Sequence, residues 1–332
     1  MKKNKYFYFV FALCGVILIF FGIKKLTQTP MEKQTRLMMD TYVTIYARGP
    51  EKLTSRAIQA ALDRMGEVDK KFSIQNQNSP LYAFNYQDIP ITDKEILYVV
   101  QKAMEISEAT KGAFDITVSP LLELWGFYEK SPKVPAEEDI KSCLKDIGYK
   151  FLVIKDGRLC KTNKNVRIDC GAIAKGYAIG QALQTLKNEG INSALIDAGG
   201  DVYALGKKGN TLWKVGIRNP QNDDMLGYLE VEDMAVVGSG DYERYFMENG
   251  KRYHHIFDPK TGYPTEDLSG ITVIHPDPML ADAWATALFV LGHEKGLKIA
   301  EQLPKINVVM ITSANEILYS SQLKKMLTII SK

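Results

Sequence analysis

The chain has 332 residues, 45% of them hydrophobic and 24% charged, an ordinary globular composition with room for a sizeable core in one large domain or two smaller ones. Its formal charge of +3 misleads, because the first 27 residues hold five of the 42 basic residues and none of the 39 acidic ones. The remainder carries 37 basic against 39 acidic residues, a balance of −2, and nothing in it reads as a nucleic-acid-binding patch.

Taken in chain order, Tyr6 to Ile23 is an uncharged 18-residue run between Lys2, Lys3 and Lys5 on one side and Lys24 and Lys25 on the other, close to the length that spans a bilayer. A cleaved signal, a lipidated Cys14 and a retained anchor compete for it. The long apolar core and the lack of a small-x-small site favour the anchor. The lysines before the run keep the N-terminus cytoplasmic, so residues 1–27 are expected to hold an extracytoplasmic domain on the cell membrane by a single pass. Thr27 to Gln34 is short and polar; residues 28–36 are expected to be a linker, and residues 37–332 one domain.

"LMMDTYVTIYA", from Leu37 to Ala47, alternates apolar residues as a strand does, and Ile58, Ala61, Leu62, Met65 and Val68 then recur at helical spacing up to Phe72. Thr92-Asp93-Lys94-Glu95 has the capping-box pattern before a helix that buries Ile96, Val99, Val100, Ala103 and Ile106 and stops at Gly112. Asp156-Gly157 predicts a tight hairpin. Short strands follow near Ala194 to Asp197, Val202 to Leu205, Leu212 to Arg218, Ala235 to Val237 and Ile271 to His275. Two helices, Met279 to Leu291 and Glu294 to Gln302, lead to a last strand, Ile306 to Thr312. Hairpins and inserted helices without regular βαβ alternation predict an α+β fold of mainly antiparallel sheet. Cys143, Cys160 and Cys170 fit no zinc or redox spacing and are expected to be buried thiols, with one disulfide among them left open.

Five stretches carry candidate chemistry. In "RIDCGAIAKGYAIG", Asp169 leads from a β-leaning segment through a Gly-Ala turn into a helix with Lys175 in its first turn, a place suited to an anion such as phosphate. In "ADAWATALFVLG", Asp282 and Thr286 share one face of an apolar helix, where a buried carboxylate needs a partner; a cation with oxygen ligands would supply one, as would capping for Asp282 and back-bonding for Thr286. "YHHIFDPKTGYP" puts His254 and His255 on opposite faces, so at most one is expected to face a site, as a general base. "GSGDYERYF" reads as a strand end approached by a ligand, and "KGAFDITVSPL" carries Asp115 on an apolar strand.

In this order the stretches, joined by "MDTYVTI" and "LIDAGGDVYALG", resemble the FAD:protein FMN transferase, or ApbE, family from Met39 to about Gly292. The resemblance implies an α+β flavin-binding fold and a Mg²⁺-dependent enzyme that cleaves FAD, passes FMN to a Thr or Ser hydroxyl of an exported acceptor protein, and releases AMP. By position, Met39, Ala113, Phe114, Asp115, Asp169, Lys175 and Ile256 match the residues that hold FAD. The Ala172 carbonyl, Asp282 and Thr286 match the metal site, and His255 matches the His assisting transfer. Two departures stand out: Gln75 where some relatives have an aromatic residue, and Ala285 where some have a further Asp. The rivals are an FAD pyrophosphatase that releases free FMN and a non-catalytic exported FAD-binding protein.

Overall fold

A computed structural model of the protein describes residues 30–129, 132–222 and 224–330. The expected membrane segment lies outside them, and no described helix is long and apolar enough to cross a membrane.

The first departure comes at once. The single strand expected from Leu37 to Ala47 is a hairpin, β1 (Met31–Met38) and β2 (Thr41–Arg48), reversed at Met39 and Asp40, whose φ angles of 53° and 56° make a tight turn. The turn shifts the phase by one, so even positions of β1 and odd positions of β2 face inward, and Leu37, which in the sequence continues the odd series of Val43, Ile45 and Ala47, is exposed. It also puts residues 31–36, expected as linker, into strand; β1 lies at a sheet edge, where water on one side lets a polar sequence form a strand.

Then come helices α1 (Glu51–Phe72), α2 (Pro80–Gln87) and α3 (Lys94–Ala109). The cap of α3 is Asp93, not Thr92: its carboxylate accepts from the amides of Glu95 (2.9 Å) and Ile96 (3.1 Å). Glu95 is drawn away from capping by Arg64, Lys71 and the Tyr177 hydroxyl. Ion pairing to neighbouring helices thus outcompetes the local box. Two short helices, α4 (Ser119–Leu124) and α5 (Glu137–Cys143), precede the hairpin of β3 (Leu152–Lys155) and β4 (Arg158–Lys161), which turns at Asp156-Gly157 as expected.

Helix α6 (Gly171–Asn188) leads into β5 (Ala194–Ala198), β6 (Asp201–Leu205), β7 (Trp213–Arg218), β8 (Met225–Val231), β9 (Met234–Gly240), β10 (Tyr245–Glu248), β11 (Lys251–His254) and β12 (Leu268–His275). The two helices expected next follow as the two halves of α7 (Pro278–Gln302), separated by Gly292, whose φ of 78° and ψ of 176° are not helical. After β13 (Asn307–Thr312), the strand expected to be last, come β14 (Ile317–Tyr319) and β15 (Leu327–Ile329).

Every strand pair among the described residues is antiparallel, in keeping with the expected α+β class. The main sheet has the order β1-β2-β5-β6-β9-β12-β13-β14. Helices α1, α6 and α7 pack over one face through a core that includes Val43, Ile45, Ile58, Leu62, Ile179, Val237, Val273 and Leu288. The other face of its central strands meets the small sheet β15-β8-β7 through Trp213, Leu229, Val236 and Val309. Burial on both faces explains why all five residues of β6 are buried. A separate aromatic cluster around fully buried Trp125 joins α4 and α5 to the β10–β11 ribbon. Cys143, Cys160 and Cys170 are free thiols, and only Cys170 is fully buried. The antiparallel register brings the start of β2, the end of β5, the start of β6, the end of β9 and the start of β12 to one end of the main sheet.

Candidate functional site

That end of the sheet gathers most of the residues singled out from sequence. The β5–β6 turn is made by Gly199 (φ 67°) and Gly200 (φ 98°), and the Gly199 amide donates to the Tyr42 carbonyl (3.2 Å), beside the Met39–Asp40 turn. A side chain at Gly199 would collide with Thr41 Oγ1. Met39 lies in this turn, not on a strand, and its amide donates to Asp69 Oδ2 (3.1 Å).

Immediately after the glycines, Asp201 is 2% exposed. Its Oδ1 accepts the Gly238 amide at the end of β9 (3.1 Å), and its Oδ2 stands 2.6 Å from Lys175 Nζ. Lys175 is therefore not a free cation solvated at the head of α6. Burial works against its charge, yet Asp201 first, then Asp282 and Glu243, raise its pKa above the ordinary lysine value. Asp201 lies within "LIDAGGDVYALG", but no local pattern marks it: the pairing needs β6 and α6 side by side.

Helices α6 and α7 touch where Gly176 faces Asp282. The Gly176 amide donates to Asp282 Oδ2 at 2.8 Å; a Cβ on Gly176 would fall into the Pro278 carbonyl and within 2.7 Å of Asp282 Cβ. In an α-helix that amide points at the carbonyl four residues back, here Ala172. The carboxylate that takes it thus sits beside the Ala172 carbonyl. Thr286, half-buried, lies one turn beyond Asp282 on the same face of α7.

Asp282 is 5% exposed, and its other oxygen has no hydrogen bond among the described residues. Burial, then repulsion from Asp201, lifts its pKa far above the usual carboxylate range, with Lys175 and the Gly176 amide only partly compensating. Among the described residues, no group of three or more His, Cys, Asp and Glu forms a metal cage. A backbone carbonyl, one carboxylate with a spare oxygen and one hydroxyl are hard oxygen donors in a locally acidic site. That set fits Mg²⁺, which keeps several waters or phosphate oxygens besides few protein ligands.

The head of α6 is less open to anions than its sequence suggests. Asp169 Oδ1 accepts the Gly171 amide (2.7 Å), and the Cys170 carbonyl accepts those of Ile173 and Ala174, which leaves Ala172 with the one first-turn amide lacking a partner among the described residues. Asp169 Oδ2 accepts from the Tyr128 hydroxyl (2.6 Å), a partner no local pattern announced; burial, then the charge of Asp169, keeps Tyr128 protonated and donating.

Asp115 is not on a strand. It caps a 3₁₀ turn, Ile116–Val118, where Oδ1 accepts from the Thr117 amide (2.8 Å) and hydroxyl (2.6 Å) and Oδ2 accepts the Tyr149 amide (2.7 Å). These bonds commit the carboxylate to shaping its own loop; its apolar neighbours are those of a short turn and helix, which mimic a buried strand. Ala113 and Phe114 are buried beside it, and the Ile116 carbonyl accepts the Asp169 amide (2.8 Å), joining this loop to the head of α6.

The two histidines divide as alternation predicts. His254 is buried and spent: its Nε2 contacts the Thr265 carbonyl (2.6 Å) and its Nδ1 accepts the Ile256 amide (3.2 Å). His255 is half-buried near the Phe127 ring, 6.3 Å between centroids, with Nδ1 3.2 Å from the Arg244 carbonyl. The tautomer that donates from Nδ1 leaves Nε2 as an acceptor. Burial, then the Arg244 charge, pulls its pKa down to about 3, so the ring is neutral at physiological pH. Ile256 is 5% exposed and packs in the core. Gln75 is exposed on the loop after α1.

The model of the ApbE family matches residues 39–310. The chain belongs to the ApbE family. An FAD:protein FMN transferase of Vibrio cholerae is 31% identical over 329 residues, covering 96% of this chain and 98% of the relative; one of Klebsiella pneumoniae is 36% identical over 241 residues, 70% and 74% of the two chains. The ApbE protein of Thermotoga maritima superposes with a TM-score of 0.84 at 35% identity, over 90% of this chain and 99% of its own. The flavin transferase ApbE of Vibrio cholerae gives 0.81 at 30%, with the same coverage. The fold is thus the ApbE-like α+β fold, and Ala172, Lys175, Asp282 and His255 fall inside the matched span.

Proposed function

We propose that the protein is a flavin transferase: it cleaves the pyrophosphate bond of FAD and passes FMN to a Thr or Ser hydroxyl of an acceptor protein, with AMP as the leaving product. The relatives' common activity supports the reaction class. The observation that carries it to this chain is the meeting of Asp282 with the head of α6 through the Gly176 amide, next to the Lys175–Asp201 pair.

Mg²⁺ would be held by the Ala172 carbonyl, Asp282 and Thr286, and would supply charge neutralisation at the phosphates. Lys175, partly exposed and ion-paired to Asp201, neutralises nonbridging oxygens as charge builds in the transition state. His255 Nε2 accepts the acceptor's hydroxyl proton as the hydroxyl oxygen bonds to the FMN-side phosphorus and the bond to AMP breaks. Met39, Ala113 and Phe114, the Asp115 loop, Asp169 and Ile256 line the approach for FAD. Residues 1–27 anchor the chain in the cell membrane with this domain on the extracytoplasmic side, where it meets exported acceptors.

The test is incubation of the purified domain with FAD, Mg²⁺ and an exported acceptor. AMP with FMN bound to acceptor Thr or Ser is expected. AMP with free FMN would make the protein a pyrophosphatase, and intact FAD would make it a binding protein.

A further inference from the structure

We propose that Asp201 is a positioning residue for the transfer, holding the Lys175 ammonium in its working place before FAD arrives. The inference rests on the flavin-transfer reading of the site.

The side chain of Asp201 ties together distant pieces of chain. Lys175 on α6 is 2.6 Å from Oδ2, and Gly238 at the end of β9 gives its amide to Oδ1 at 3.1 Å. The Gly199-Gly200 turn that aims Asp201 inward is itself braced on Tyr42, next to the Met39 turn. At 2% exposure the carboxylate is far more buried than an ordinary surface partner, whereas the Lys175 side chain remains 25% exposed. The pair therefore has one buried, fixed end and one end partly open to solvent.

A lysine is a flexible stem with three ammonium donors, and an isolated one would be ordered only when substrate binds. Here the ammonium stands 2.6 Å from Asp201 Oδ2 as an ion pair, which fixes the stem while the exposed part of the group stays available to phosphate oxygens. The same negative charge also bears on Asp282. Asp201 thus belongs to the charge balance of the site without touching substrate. A buried acid that merely filled space in β6 would be coupled to neither group.

The test is a double-mutant cycle of Asp201→Asn and Lys175→Gln. Asparagine keeps an acceptor for the Gly238 amide and removes the charge. Asp201→Asn alone should lower the FAD-cleavage kcat by roughly 10- to 100-fold, the usual effect of removing an orienting partner, while KM for FAD changes less than about threefold. In the Lys175→Gln background the same change should cost nothing further. Equal losses in both backgrounds, or full activity in Asp201→Asn, would overturn the proposal. Lys175 can also be followed without turnover, by ¹⁵N NMR of the lysine ammonium groups in substrate-free protein. The signal absent from Lys175→Gln should be visible in the wild type, where the ion pair slows exchange, and lost in Asp201→Asn; its persistence in Asp201→Asn would contradict the assignment. Should Asp201→Asn fail to fold, the double variant should recover the fold, because it removes both charges together; a double variant that also fails would refute the coupling. The wild-type arm keeps the two readings apart: a wild type that never cleaves FAD sinks the transferase reading, whereas an active wild type with additive losses sinks only the role of Asp201.

Discussion

Asp282→Asn should make the metal-free protein more stable while removing its response to Mg²⁺. The structure sets both signs. Asp282 is 5% exposed and carries a charge that Asp201 opposes, so its folded pKa lies above the unfolded value. A carboxyl raised in this way binds its proton more tightly in the folded state. Stability is then lost as pH rises from the unfolded pKa through the folded one, and the penalty is largest at neutral and alkaline pH. Asparagine is neutral and nearly the same shape, and its carbonyl can still accept the Gly176 amide that Oδ2 takes at 2.8 Å. The rise of the Asp282 pKa from 3.8 to about 7 means that its charge costs on the order of 1–4 kcal/mol at pH 8, a cost a neutral group avoids. For a domain of about 300 residues each kcal/mol moves Tm by about 1.5–2 °C, so a rise of a few degrees is expected at pH 8 and little change at pH 4. Differential scanning calorimetry with EDTA and then with Mg²⁺ reads both effects: the wild type should gain Tm with Mg²⁺ and FAD, and the variant should gain almost none. A variant less stable than wild type in EDTA at pH 8, or one that keeps the Mg²⁺-dependent gain, would refute the reasoning.

Other expectations follow from the same geometry. Gly176→Ala drives a methyl group into the Pro278 backbone and Asp282, so it should destabilise the fold by about 1–3 kcal/mol in urea unfolding and abolish Mg²⁺-linked turnover, because α6 and α7 must part. His255→Gln should slow transfer by roughly 10²- to 10⁴-fold with FAD affinity nearly unchanged, measured by single-turnover kinetics and fluorescence titration. Burial and Arg244 lower the His255 pKa to about 3, so the base stays neutral and transfer should show no histidine-like decline between pH 8 and 5.5; a midpoint near 6.5 absent from His255→Gln would contradict this. Asp115→Ala strips the acceptor from the Tyr149 amide and from Thr117, and should lower stability by about 1–3 kcal/mol even without FAD.

Helical spacing located α1, the core of α3 and both halves of α7, because amphipathic helices write their buried face directly into the sequence. The Asp156-Gly157 hairpin was equally legible. The Met39–Asp40 turn was not, since Leu37 and Met39 happen to extend the odd-numbered apolar series of β2, although the reversal shifts the inward face to even positions in β1. The cap of α3 moved to Asp93 because Glu95 found better partners in Arg64, Lys71 and Tyr177. Strands β8, β10, β11, β14 and β15 escaped notice; they are short or mixed in polarity, and their pairing is set by tertiary contacts. In the site, Asp282 and the head of α6 could be read from motif and spacing, and their meeting is visible at Gly176. The Lys175–Asp201 and Tyr128–Asp169 partnerships could not, because each joins segments separated along the chain and leaves no periodic trace.

The central claim is that a divalent cation sits between α6 and α7 against the phosphates of FAD. Anomalous diffraction from crystals grown with Mn²⁺ and FAD tests it most directly. A peak within about 2.5 Å of the Ala172 carbonyl, the Asp282 carboxylate and the Thr286 hydroxyl, with phosphate oxygens completing the shell, is the predicted result. A bound FAD whose Mn²⁺ peak lies away from these three oxygens would contradict the account.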